Sequence, residues 1–105
     1  LNSDNGVGDN NSGIVNSFGY MTGFANNYGA ISQQVICGGG SGNSINDISR
    51  YASAANCIGI RYANQNGDSL GVTSAALTSF NPDGFTLNVN SFASTLVVLY
   101  VAYKY

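Results

Sequence analysis

The residues that could do chemistry are few and scattered. The chain contains no His, Glu or Trp. Without His, the usual general base, the His-containing metal sites and the Ser-His-Asp and Cys-His arrangements are all missing. The acidic residues lie in predicted turns with no catalytic motif around them: Asp4, Asp9, Asp47, Asp68 and Asp83. We therefore expect that the protein is not an enzyme.

Two glycine-rich segments invite comparison with ligand-binding loops. The segment DNGVGDNNSG, residues Asp4–Gly13, lacks the carboxylate spacing of a calcium loop and its closing Glu. The run GGGSG, residues Gly38–Gly42, is not followed by the Lys and Ser or Thr of a phosphate-binding loop. We therefore expect neither a metal site nor a cofactor.

Two cysteines, Cys37 and Cys57, lie at the ends of predicted strands. A disulfide between them would close a loop of about 20 residues and stabilise the fold by about 3 kcal/mol in the chain-entropy model. Free cysteines, however, are among the residues most often buried in protein cores. Both alternatives, a disulfide and two buried thiols, stay open from the sequence.

Tyrosines and arginines near the segment NQNGD, residues 64–68, form the candidate ligand site. Tyr offers a flat ring at low entropic cost, and charged side chains can bind sugar hydroxyls, so the predicted ligand is a cell-surface glycan. The candidate residues are Arg50, Tyr51, Arg61, Tyr62 and Asp68. The competing interpretation is that these tyrosines pack in the core.

The charge pattern excludes other partners. Charged residues make up 8% of the chain, and its three cations, Arg50, Arg61 and Lys104, are dispersed. Nucleic-acid binding needs a basic patch that releases counterions, so we expect no nucleic-acid partner. The longest apolar run, Leu96–Tyr103, has eight residues, whereas a membrane-spanning helix needs about 20. We expect no membrane span.

Period-two alternation predicts an all-β fold. Residues 1–13 predict a flexible N-terminal arm, and residues 14–105 a single antiparallel β-sandwich of about six to eight short strands. The expected strands and turns are Ile14–Phe24, Ala30–Cys37, a loop over Gly38–Asn46, Asn56–Ala63, Leu70–Phe80, a turn over Asn81–Gly84, Phe85–Asn90 and Thr95–Tyr105. Between Asp47 and Asn56, Ser and Ala predict one or two helical turns.

The last predicted strand, Thr95–Tyr105, is apolar on both faces. In a domain of this size one face can be covered by the opposite sheet, but the other needs a neighbouring subunit. We therefore expect a homo-oligomer. Its interface is predicted at Val97, Leu99, Val101, Tyr103 and Tyr105.

The segment LTSFNPDGFTL, residues Leu77–Leu87, with Val89–Asn90 and the terminal Leu99–Lys104, resembles the C-terminal β-sandwich domains of phage virion and tail-fibre proteins. It is also similar to the closing strands of H-type lectin-like domains. In that resemblance Asp83–Thr86 opens a strand and the aromatic strand ends the chain inside a trimer, often at a receptor-contacting tip.

Two functions are therefore expected. The first is a structural or adhesive domain of a phage or extracellular appendage, located in the virion or at a cell surface, that forms a trimer and contacts a host glycan. The second is a purely structural filament or capsid-decoration subunit, which assembles through its N-terminal arm or by strand exchange.

Overall fold

The computed structural model of this chain describes residues 20–40, 48–63, 68–93, 96 and 98–103. Within these ranges the fold is all-β, as predicted, and contains no helix. The strands are β1 (Tyr20–Asn27), β2 (Ile31–Gly40), β3 (Ile48–Ser53), β4 (Ile58–Ala63), β5 (Ser69–Asn81) and β6 (Gly84–Ser91). The predicted arm, residues 1–13, lies outside the described residues.

The six strands form two antiparallel sheets. The first sheet has the order β1-β2-β3 and the second has the order β4-β5-β6, so neighbours in the chain are neighbours in each sheet. The turn between β1 and β2 contains Gly29 at φ 98°, a left-handed conformation that favours glycine. The turn between β5 and β6, at Pro82 and Asp83, confirms the turn predicted over Asn81–Gly84.

The core lies between the first sheet and strand β4. Its buried cluster combines residues of β1 and β2 with residues of β4: Met21, Val35, Cys37, Ile60 and Tyr62. The strand β4 contacts all three strands of the first sheet. A polar contact joins the same elements, because the Gly59 N–H donates to Met21 Sδ at 3.4 Å.

Irregularities in the second sheet change its pairing. The register shifts once between β4 and β5, at Tyr62/Ala63, and twice between β5 and β6. Such bulges bend a strand and increase its twist. Opposite the first shift, Gly71 has φ 109° and pairs with Tyr62, so a side chain at this position would be strained.

Three local predictions need correction. The helical turns predicted between Asp47 and Asn56 are wrong, because residues 48–53 form β3 and pair with β2. Strand β2 continues through residues 38–40, which were predicted as a loop, and residues 41–47 lie outside the described residues. The first strand ends at Asn27 instead of Phe24, and its predicted residues 14–19 lie outside the described residues.

The C-terminal residues depart most from the prediction. The described residues 96 and 98–103 contribute no strand to either sheet, so the predicted interior strand is wrong for them. Leu96 and Val98 pack against the core cluster, whereas Leu99, Val101 and Tyr103 project into solvent. All five residues from Leu99 to Tyr103 are exposed in the single domain. Val97 and Tyr105 lie outside the described residues.

Strand β6 confirms the strand predicted over Phe85–Asn90, and its apolar face is only partly covered. Phe85 is half-buried, while Leu87 and Val89 on the same face are exposed. Because β6 is an edge strand, only β5 lies beside it in the sheet, and its other edge is open. The alternation of apolar and polar residues in this strand therefore indicates its conformation but not how deeply its apolar face is buried.

Candidate functional site

The predicted ligand residues on β3 point in opposite directions. Arg50 is exposed on the side of the first sheet that points away from the core. Tyr51 is half-buried and packs against the core cluster. Successive side chains of a strand lie on opposite faces, so these two cannot share one flat site. The Tyr51 hydroxyl also accepts a hydrogen bond from Asn56 Nδ2 at 3.0 Å.

The predicted ligand residues on β4 belong to the interior. Tyr62 is 4% exposed and forms part of the core cluster. Arg61 is half-buried, and its Nη1 donates to Ser49 Oγ at 2.8 Å. The Ser49 hydroxyl in turn donates to the Arg61 carbonyl at 3.1 Å. This reciprocal pair joins β3 to β4 and therefore connects the two sheets.

Asp68 is exposed just before β5. The structure thus distributes the five candidate side chains over an outer face, the core, a junction between the sheets and a strand end. It does not bring them together in one pocket. Glycan binding by these residues stays a prediction.

A polar cluster centred on Asn56 lies at the connection between β3 and β4. It was not predicted from the sequence. The buried Asn56 donates to Tyr51 and, at 3.3 Å, to Ser53 Oγ, and its Oδ1 accepts from Asn90 Nδ2 at 2.5 Å. Asn88 Nδ2 donates to Asn90 Oδ1 at 2.6 Å. The cluster connects β6 to the first sheet. No spacing pattern marks these residues among the many Asn of the chain.

Both cysteines are free thiols in the structure, Cys37 buried in the core and Cys57 half-buried. The Cys57 backbone N–H donates to the Ala75 carbonyl at 3.0 Å. Burial raises the pKa of the Cys57 thiol, because the thiolate would lose its hydration, and hydrogen bonds to the backbone oppose this effect only in part. A raised pKa makes a thiol less reactive at neutral pH.

The outer face of the first sheet carries an exposed apolar surface. We use the name outer face for the side chains that alternate with the core residues of β1, β2 and β3: Tyr20, Thr22, Phe24, Gln34, Ile36, Arg50 and Ala52. Tyr20, Phe24 and Ile36 are between 49% and 64% exposed. Beside them lies an open depression of about 580 Å³, lined in part by Phe24, Ile36, Ala52 and Ala54.

The second exposed apolar surface is the C-terminal segment, residues 98–103. Leu99, Tyr100, Val101 and Tyr103 are 70–84% exposed. Val98 anchors the start of the segment on the core cluster. The ring of Tyr100 meets the ring of Phe85 edge to face, with centroids 5.4 Å apart. The segment is therefore held against the second sheet while most of its apolar surface stays in solvent.

Within residues 20–40, 48–63, 68–93, 96 and 98–103, no three His, Cys, Asp or Glu side chains come together as a metal site would require. The same residues include no helix long and apolar enough to span a membrane.

Comparisons with protein-family models, with curated proteins and with solved structures found no match for this chain. The resemblance to phage virion and tail-fibre domains therefore stays a prediction carried by the residues quoted for it.

Proposed function

We propose that this chain is a non-enzymatic structural subunit that associates with copies of itself in a virion or an extracellular appendage. In this proposal the two three-stranded sheets form a β-sandwich around the core cluster. The C-terminal segment, together with residues 97 and 105, is the interface through which copies associate.

The observation that carries the proposal is the exposure of Leu99, Val101 and Tyr103 on a segment whose preceding residue packs on the core. Large apolar side chains gain about 25 cal/mol for each Å² removed from water. Clustered exposed apolar residues mark interaction sites in proteins that are otherwise well folded. Val98 packs on the core and Tyr100 contacts Phe85, so the segment lies against the domain with its apolar side chains available to a neighbour.

The charge of the chain favours association between copies. The net charge is −2 over 105 residues, so two copies repel each other only weakly. The C-terminal segment, VLYVAY, contains no charged residue. A surface rich in amide and hydroxyl groups then keeps the assembly soluble without large charge. This composition, with the resemblance to virion domains, supports an extracellular or virion location.

Size-exclusion chromatography with light scattering at micromolar concentration tests the proposal. We expect an oligomer for the wild type and a folded monomer for Leu99→Asp/Val101→Asp, because both side chains are exposed in the single domain. The matched control, Asn27→Asp/Ala30→Asp, adds the same two charges at exposed positions around the first turn and should leave the oligomer intact. A monomeric wild type would contradict the proposal.

The alternative route of assembly uses the N-terminal arm. A chain lacking residues 1–13 should form an oligomer with the wild-type number of subunits if the C-terminal segment forms the interface. Loss of the oligomer in this truncation, with an unchanged mass for Leu99→Asp/Val101→Asp, would assign assembly to the arm.

A second candidate function, contact with a host glycan, is favoured by one arrangement on the outer face. Tyr20 and Arg50 both pair with Gly38, which lies between them in one cross-strand row. The backbones of Tyr20 and Arg50 are therefore roughly 10 Å apart, and Gly38 places no side chain between them. A sugar could stack on the Tyr20 ring and accept hydrogen bonds from Arg50. Glycan-array binding that is lost in both Tyr20→Ala and Arg50→Ala would support this function, and silence of the wild type would exclude it for the glycans presented.

A further inference from the structure

We infer that the C-terminal segment of one copy docks on the outer face of the first sheet of the next copy, so that the subunits associate head to tail. This inference rests on the proposed self-association and names the surface that receives the segment.

The outer face is a further exposed apolar surface of the described residues, separate from the C-terminal segment. On β1 and β2, Met21 and Val35 point into the core, while Tyr20, Phe24 and Ile36 alternate with them and point away from it. A sheet with one solvated face usually carries polar residues there. The exposure of two aromatic rings and an Ile on the solvated face indicates that this side is covered in the assembled protein.

The dimensions of the two surfaces agree. In an extended conformation, Leu99, Val101 and Tyr103 lie on one side and span four residues, about 14 Å at 3.4 Å per residue. Tyr20 and Phe24 are also four residues apart on one side of β1, and therefore span the same length. The adjacent depression of about 580 Å³ has Ala52 and Ala54 along one side, which leaves room for large side chains.

The positions of the two surfaces favour contact between copies over contact within one copy. Leu96 and Val98 pack on the core cluster, which lies on the inner side of the first sheet. The outer face is the reverse side of that sheet, across its full thickness. A donor surface and a different acceptor surface on one chain make a heterologous interface, which closes into a ring or extends into a fibre.

The electrostatics of the contact are also favourable. The C-terminal segment is uncharged, and Arg50 is the one charged residue within the described residues 20–40 and 48–54. Burying the segment on this face therefore removes at most one charge from water. Arg50 lies at the end of the face, where its guanidinium can stack on a tyrosine ring of the incoming segment.

Two variants and their mixture test the inference. The segment variant is Leu99→Asp/Val101→Asp, and the face variant is Phe24→Asp/Ile36→Asp. We expect each variant alone to be monomeric by light scattering. In a 1:1 mixture, the intact segment of the face variant should bind the intact face of the segment variant. The product should be a single species of twice the monomer mass that does not grow further, because its two remaining surfaces are disabled.

A second face variant keeps the test decisive if Asp in β1 or β2 impairs folding. A Cβ atom on Gly38 would meet no atom within 4 Å, so Gly38→Glu places bulk and charge on the outer face without a clash. We expect Gly38→Glu to be folded by circular dichroism, monomeric alone, and able to form the same species with the segment variant.

The outcomes separate the inference from the proposed function. Folded face variants with the wild-type oligomer mass would overturn the docking surface and leave self-association in place. Two monomeric variants that form no complex when mixed would also overturn it. Face variants that keep the oligomer but lose glycan binding would assign the face to a sugar instead. A monomeric wild type would overturn both proposals.

Discussion

The side-chain amide of Gln33 on β2 forms hydrogen bonds with both backbone groups of Leu77 on β5, 44 positions further along the chain. The Leu77 N–H donates to Gln33 Oε1 at 2.8 Å, and Gln33 Nε2 donates to the Leu77 carbonyl at 3.3 Å. The register between β5 and β6 shifts immediately after Leu77. Gln33 therefore acts as a strand partner at an irregular position and connects the two sheets.

We expect Gln33→Ala to lower the free energy of unfolding by about 1–3 kcal/mol, because the substitution leaves backbone groups of the buried Leu77 without their side-chain partner. The matched control is Gln34→Ala, at the next residue, whose side chain is exposed on the opposite face. It should change stability by less than about 0.5 kcal/mol. Urea unfolding of the three proteins measures the difference, and equal losses for both variants would contradict this role of Gln33.

The backbone of β1 comes close to the connection before β4 at Gly23. A Cβ atom at this position would clash with the Cys57 carbonyl oxygen and lie 3.0 Å from the Gln34 carbonyl oxygen. Because backbone atoms cannot move aside as a flexible side chain can, we expect Gly23→Ala to cost about 1–3 kcal/mol. Gly38→Ala, on the neighbouring strand in open space, should be close to neutral. Thermal unfolding compares the two, and a neutral Gly23→Ala would show that the two segments separate easily.

Burial raises the pKa of the Cys57 thiol, which makes stability depend on alkaline pH. In the unfolded chain a cysteine loses its proton near pH 8.5, whereas folded Cys57 keeps it to higher pH. The unfolded state then binds fewer protons, so stability falls as pH rises through this window. We expect the stability of the wild type relative to Cys57→Ala to be constant below about pH 7.5 and to decrease above pH 8.5. The two proteins differ only at position 57, so the contributions of their shared ionisable groups cancel in this difference. A constant difference up to pH 10 would show that the thiol is well hydrated.

Much of the fold follows from the alternation of residue types. Strands β2, β4, β5 and β6 lie within two or three residues of their predicted positions, because apolar side chains alternate there with small or polar ones. The turn at Pro82 and Asp83 was predicted from turn-forming residues. Strand β3 was missed because Ser and Ala do not distinguish a helix from a strand, and its pairing with β2 decides the conformation.

The candidate site was less predictable from the sequence, because residues of the same type have different environments in the fold. Tyr51 and Tyr62 follow Arg in similar local sequences, and both belong to the interior, whereas Tyr20 and Phe24 are exposed on the outer face. Which face of a strand is buried depends on the position of the opposite sheet, and this is a long-range property. The apolar C-terminal residues predicted a strand, and no local pattern indicated that residues 96 and 98–103 would lie outside both sheets.

The contact between Phe85 and Tyr100 provides a test of whether the C-terminal segment is held on the domain in a single copy. Their rings meet edge to face at an interplanar angle of 89°, a geometry worth about 0.5–1.5 kcal/mol in double-mutant cycles. Because Tyr100 is largely exposed, we expect a coupling near the lower limit, about 0.5 kcal/mol, between Phe85→Ala and Tyr100→Ala.

The cycle is measured by urea unfolding in the Leu99→Asp/Val101→Asp background, so that association between copies does not contribute. Tyr100→Phe serves as the control, because it keeps the ring and removes only the hydroxyl. It should retain the stability of the background protein. A coupling energy of zero would mean that the segment leaves β6 freely in the monomer. Docking on a neighbour would then carry the entropic cost of ordering the segment, and the measured association would be weaker for that reason.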